Sequence, residues 1–440
     1  MSSGPSGNNG RPASRQIDVE YLARVEGEGA LHLRIEDDRV AAVQLRIFEP
    51  PRFFEALLVG RDFREAPDIT ARICGICPVA YLMSSVHAME ALCGVEVEPA
   101  VRDLRRLLYC GEWIESHGLH MHMLHLPDFL GYPDAVHAAR DHPEVVRRGL
   151  RLKKAGNSLV ELIGGREIHP INIRVGGFYK APSIVELQAI RPQLEAALDD
   201  ALEAGRFVAG LDFPEFERDY LFVALQNSNE YPTSLGQLGF SDGRVLPVGS
   251  FNQALVESHE THSHALQTRT VEGRAVHMGP LARYALNREQ LSPRAQELVQ
   301  QTGLEPVCLN PYKSILVRAV EVVHACETAL QLIDGYTPPA QPAVEVEPRA
   351  GIGAAATEAP RGMLFHQYQI DANGLIESAQ IVPPTSVNQA TIEEDLYHYV
   401  SPRVGESDDQ LRSACELAIR NYDPCISCAT HFLDLTVERG

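Results

Sequence analysis

Two Cys-x-x-C pairs are the residues best suited to chemistry in this 440-residue chain: Cys74 and Cys77 in ARICGICPVAY, and Cys425 and Cys428 in NYDPCISCATH. Two thiols three positions apart can close on one soft metal, and four of them suit zinc, iron-sulfur or nickel. Either pair alone would also serve as a redox dithiol or half of a structural zinc site. A zinc ribbon brings its pairs within roughly 20 residues of each other. Here about 350 residues intervene, so a shared site must join the two ends of a whole fold.

The elements that would position those pairs follow from periodicity. From residue 17 to 47 apolar and polar residues alternate, with Leu31, Leu33 and Ile35 opposite His32, Arg34 and Glu36, which reads as a hairpin or small sheet. After Cys77 helical periodicity takes over in PVAYLMSSVHAMEALCG, AVRDLRRLLYCGEWIESHGLHMHMLHL and HPEVVRRGLRLKKAGNSLVELIGG, each stopped by Gly or Pro. Residues 183–212 and 287–335 read as helical, and 215–280 as short strands and turns. The stretch GYTPPAQPAVEVEPRAGIGAAATEAP, residues 335–360, reads as a loop or linker. MLFHQYQIDANGLIESAQIV then reads as two strands around an Asn-Gly turn. The helix DDQLRSACELAIRNY delivers the chain to the second cysteine pair.

Composition narrows the function class. The chain is 45% hydrophobic and 22% charged, as ordinary globular proteins are, and its formal charge of −20 argues against nucleic acid as a partner. No apolar run long enough to span a membrane occurs, and residues 1–16 carry no apolar core of a secretory signal. They read as a flexible tail before a domain over 17–440. Nine cysteines, an odd number scattered through a long chain, fit a reducing compartment, and the expected location is cytoplasmic.

The sequence resembles the large, catalytic subunits of nickel-iron hydrogenases over nearly its whole length after the tail. The likeness rests on RICGIC at 72–77 and DPC-x-x-C-x-x-H at 423–431. RVEGEG at 24–29, the approach FFEALLVGRDFREAPDITARIC, IHPINIRVGG and EAPRG at 358–362 add to it. The form RICGICPVAY with CISCATH is most similar to the cofactor-coupled branch that includes NADP-linked bifunctional enzymes and sulfhydrogenases. The implied fold is α+β and mainly helical, a central helix bundle with small peripheral sheets.

The resemblance implies reversible cleavage of dihydrogen. Nickel would be held by Cys74, Cys77, Cys425 and Cys428, with Cys77 and Cys428 bridging to an iron that carries carbon monoxide and cyanide. Cys425, a terminal thiolate, would receive the proton of heterolysis and Glu26 would relay it. Arg361 would lie over the open side of the metals, Pro384 and Thr385 would line the diatomic ligands, and Asp423 would stand near the active site. Glu55, 19 residues before Cys74, and His431 match the family's magnesium ligands. His117, His120, His122 and His125 crowd one helix; chemistry alone would allow a second metal, but the family's similar helix points to packing. Cys93, Cys110, Cys308, Cys326 and Cys415 read as core residues.

Two positions depart from the family. Tyr81 stands where many relatives have histidine, and Ser116 where membrane-bound relatives have aspartate, so oxygen tolerance and catalytic bias do not transfer. The chain has no further cysteine run for an iron-sulfur cluster and no G-x-G-x-x-G after a strand, GIG at 351–353 being too weak. Iron-sulfur clusters, FAD and NAD(P) would therefore sit on partners: an iron-sulfur small subunit and diaphorase subunits. A maturation protease cutting after His431 would release FLDLTVERG. The competing readings are a non-catalytic scaffold related to the quinone-side subunit of complex I, which lacks the nickel thiolates, and a structural zinc protein.

Overall fold

The computed structural model describes residues 14–430. The alternating N-terminal segment forms an antiparallel sheet of β1 (Ser14–Val19), β2 (Gly29–Glu36) and β3 (Arg39–Ile47). Leu31, Leu33 and Ile35 are buried as the alternation requires. β1 takes up Ser14 to Gln16, which the sequence reading placed in the tail. The short helix α1 (Phe54–Leu58) and the first cysteine pair follow.

Cys77 is the N-cap of α2 (Pro78–Cys93), whose Pro at N1 gives up no needed N–H. The core is a bundle of α3 (Pro99–Leu119), α4 (Pro143–Gly164), α5 (Ile184–Ala209) and α7 (Ser314–Asp334), with α6 (Pro280–Asn287) against one side. α3 packs on α4 and α7, and α5 packs on the same two, which closes the ring. A Cβ on Gly156 would come within 2.5 Å of Gly111 O and Glu115 N, so only glycine admits this approach of α3 and α4. The ring is the expected central bundle.

The segment read as a linker is strand for its last third. β4 (Gly351–Ala359), β5 (Gly362–Ile370) and β6 (Ile376–Val382) form an antiparallel sheet, and GIG opens β4. Periodicity hid β4 because Ala and Gly carry little polar contrast. Its identity comes from α2, which packs on it so closely that a Cβ on Gly353 would meet Leu92 Cβ and Ala88 O at 2.4 Å. Ala359 pairs with Gly362, so Pro360 and Arg361 form a two-residue turn. α8 (Pro384–Val400), packed on β3, and α9 (Asp408–Arg420) complete the chain to the second cysteine pair. The His-rich stretch continues α3 as one π-helical turn, His120–His125, and all four histidines named above are buried.

Candidate metal centre

The two cysteine pairs meet. The sulfurs of Cys74, Cys77, Cys425 and Cys428 all lie within 4.8 Å of one another, every one buried. Cys74 Sγ is 3.1 Å from Cys77 Sγ and 3.5 Å from Cys425 Sγ, and the sulfurs of Cys425 and Cys428 touch. The backbone N–H groups of Ile76 and Cys77 donate to Cys74 Sγ at 3.3 and 3.2 Å. The Cys77 thiol and the nearby Arg361 favour the Cys74 thiolate, lowering its pKa. No other cluster of at least three such ligands occurs among the described residues.

Backbone and side chains from distant segments fix this meeting. Ile426 N donates to Glu26 O at 2.9 Å, and the Glu26 carboxylate accepts from Ser427 N at 3.1 Å and lies 3.0 Å from Cys425 Sγ. Gly27, at φ 89°, lets this segment between β1 and β2 lie against Ile426, since a Cβ there would stand 2.8 Å from Ile426 Cβ. Arg52 donates to Ile73 O at 2.8 Å and to Ser427 O, strapping the two motifs together. Glu112 of α3 accepts from Val79 N at 2.7 Å and Ala80 N at 3.2 Å, capping α2 just beyond Cys77. Burial pushes its pKa well above the carboxylate range. Arg52 and Glu112 were not legible in the sequence; a Glu inside the apolar face of α3 was the only signal.

Arg361 is buried, not a surface arginine. Its Nε donates to Asp423 O at 2.7 Å and its Nη2 to Asp423 Oδ1 at 3.1 Å, while its buried Nη1 has no partner. Asp423 holds φ 51°, and these two bonds support that left-handed conformation. Thr385 Oγ1 accepts from Cys425 N at 3.0 Å. Pro384, first residue of α8, backs the Arg361 turn: a Cβ on Gly362 would lie 2.9 Å from Pro384 Cβ. Tyr81 OH reaches Cys428 O at 3.5 Å, and the Ser116 hydroxyl is buried without a hydrogen bond.

Glu55 is not part of the sulfur cluster, and its Oε1 accepts from Ile381 N at 2.7 Å. Burial, with Glu257 nearby, pushes its pKa to about 8. His431 lies outside the described residues. Four buried soft donors beside an arginine with a spare N–H suit a thiolate-bound metal that carries hydrogen-bond acceptors.

Residues 52–149 and 251–431 match the family described as nickel-dependent hydrogenase. The chain belongs to that family. It is 33% identical to sulfhydrogenase 1 subunit alpha of Pyrococcus furiosus, over 95% of this chain and 98% of that protein. Sulfhydrogenase 2 subunit alpha of the same organism is 34% identical over 95% of this chain and 100% of its own length. A solved NAD+-reducing [NiFe]-hydrogenase in the H2-reduced state superposes with a TM-score of 0.87 at 25% identity, covering 96% of this chain and 100% of its own. As a member of that family it is a hydrogenase large subunit, an enzyme, with the expected mainly helical fold, and it is similar to the sulfhydrogenase alpha subunits. No helix among the described residues of this hydrogenase is long and apolar enough to cross a membrane.

Proposed function

We propose that this hydrogenase subunit cleaves and forms dihydrogen reversibly and heterolytically at a nickel-iron centre held by Cys74, Cys77, Cys425 and Cys428. The convergence of the four sulfurs with Glu26 beside Cys425 carries the reading. Such a centre, with carbon monoxide and cyanide on iron, supplies the Lewis acidity and redox change that polarise and split the hydrogen molecule.

The chain's own residues then have definite tasks. Cys74, Cys77, Cys425 and Cys428 would hold the nickel, and Cys77 and Cys428 would hold the iron as well. Cys425 Sγ takes up the proton and hands it across 3.0 Å to Glu26. Arg361 would offer its unpartnered Nη1 to a cyanide nitrogen, Pro384 would wall that side, and Thr385, which holds Cys425 in place, would keep its hydroxyl proton for a second acceptor. Asp423 orients Arg361.

Glu55 with His431 would bind magnesium, and a dication there would supply the counter-charge that two half-buried carboxylates, Glu55 and Glu257, call for. Electrons leave to an iron-sulfur small subunit and pass through flavin-bearing diaphorase subunits to NAD(P), as the NAD+-reducing structural relative suggests. This organisation fits one domain, opening with β1 at Ser14 and so slightly ahead of the expected start at 17, in the cytoplasm, matured by a protease.

The test is purification with native partners, followed by metal analysis, infrared spectroscopy and hydrogen-dependent NAD(P) reduction. Nickel and iron together, with cyanide and carbon monoxide bands and nucleotide reduction, support the proposal. Zinc alone, or no metal, overturns it.

A further inference from the structure

Behind the Arg361 turn lies a fully buried charged chain that the proposed reaction does not use. Arg318 and Glu321 project from one side of α7, three positions apart in an otherwise apolar run. A single nitrogen of Arg318, Nη1, stands 3.2 Å from His117 Nδ1, 3.4 Å from Pro360 O and 3.6 Å from Asp423 Oδ2. Asp423 Oδ2 has no hydrogen bond of its own, so this ionic contact is what faces it. Arg283 of α6 reaches the same turn from the other side, donating to Ala359 O at 2.8 Å and Pro360 O at 2.9 Å.

We propose that Arg318, aimed by His117, is the positioning residue that fixes both anchors of Arg361: the Pro360 carbonyl before it and the Asp423 carboxylate beneath it. The inference rests on the reading of Arg361 as the residue facing the iron's cyanide.

The protonation pattern is determined by the contacts. A guanidinium can only donate, so His117 Nδ1 must accept and the ring must be neutral with its proton on Nε2. Burial, which holds His117 at about 4, agrees. Nε2 then lies 2.9 Å from Glu321 Oε2, so its N–H faces that carboxylate. Glu321 is itself clamped by Arg283 through two 2.8 Å bonds. Burial lowers Arg318 to about 10, and it stays protonated at neutral pH. Two arginines thus share Asp423, so its carboxylate cannot shift without leaving buried charge unpaired, while Pro360 O is held jointly by Arg318 and Arg283.

The test uses the holoenzyme with its partners. Arg318→Met removes the cation. Arg318→Lys keeps it, but its ammonium nitrogen ends one bond short of the Nη1 position on a flexible stem, and so cannot hold the contacts to His117, Pro360 and Asp423 together. Both variants are expected to retain nickel and iron while the infrared cyanide bands shift. kcat should fall on the order of tenfold with KM for hydrogen little changed, less in the lysine variant. If Arg318→Met fails to fold, Arg318→Lys decides. Loaded Arg318→Lys protein with wild-type cyanide bands and wild-type kcat overturns the inference. A wild-type enzyme lacking cyanide bands altogether would instead overturn the underlying hydrogenase-site reading.

Discussion

Cys425 Sγ lies 3.0 Å from Glu26 Oε2, although 399 positions separate the two residues. The same carboxylate oxygen takes the N–H of Ser427 at 3.1 Å, so Glu26 is both a tie that holds the second cysteine loop and the first oxygen a proton leaving Cys425 meets.

These two roles separate in Glu26→Gln. The amide keeps a carbonyl for Ser427 N but cannot cycle a proton. Metal content should be unchanged while deuterium-proton exchange drops by two orders of magnitude or so. Glu28, whose N–H faces Glu49, should tolerate the same change. Near-normal exchange in fully loaded Glu26→Gln protein would exclude Glu26 as the obligatory relay.

Cys425→Ser replaces a soft ligand by a hard hydroxyl of similar size at a site held by Thr385 and Glu26. Circular dichroism should match wild type, with nickel and hydrogen activity lost; Cys74→Ser should behave likewise. Retention of full nickel with wild-type turnover in either variant would refute the four-thiolate site.

Gly156→Ala tests the α3–α4 contact that carries Glu112 toward the first cysteine pair. The added methyl would meet backbone at 2.5 Å, and overpacking of this kind costs about 1–3 kcal/mol. A denaturation midpoint equal to wild type would show that the helices can part without penalty.

His324 offers a pH test. It is buried against Tyr231, accepts from Ser292 N at 3.0 Å, and burial lowers its pKa from 6.5 to about 3. The folded state holds it neutral while the unfolded chain protonates it below 6.5. Its contribution is therefore complete above pH 6.5 and is lost as pH falls toward 3. The stability advantage of wild type over His324→Gln should shrink by roughly 2 kcal/mol between pH 7 and pH 5. A constant difference across that range would mean the ring titrates normally.

Processing after His431 would remove Phe432 to Gly440. The intact mass of nickel-loaded protein should lack those nine residues; a mass including Gly440 refutes the cut.

The amino-acid sequence by itself determined the donor set. RICGIC and DPCISC name four soft ligands, and EAPRG names the turn whose proline favours the tight reversal that presents Arg361. The helices of the bundle were also legible, because their apolar positions recur with helical period and their ends carry Pro and Gly. Local patterns could not reveal β4, where Gly and Ala give no contrast and the pairing with β5 under the packing of α2 makes the strand. Nor could they show Arg52, Glu112 and Arg318 as supports of the site. An arginine or glutamate in an apolar helix is conspicuous, but its partner is chosen by packing. Only the tertiary structure brings Arg318 from α7 against Asp423 and Glu26 against Cys425. The physical reason is that a buried charge is stable only where the fold delivers its counterpart, and that counterpart lies a hundred to four hundred residues away along the chain.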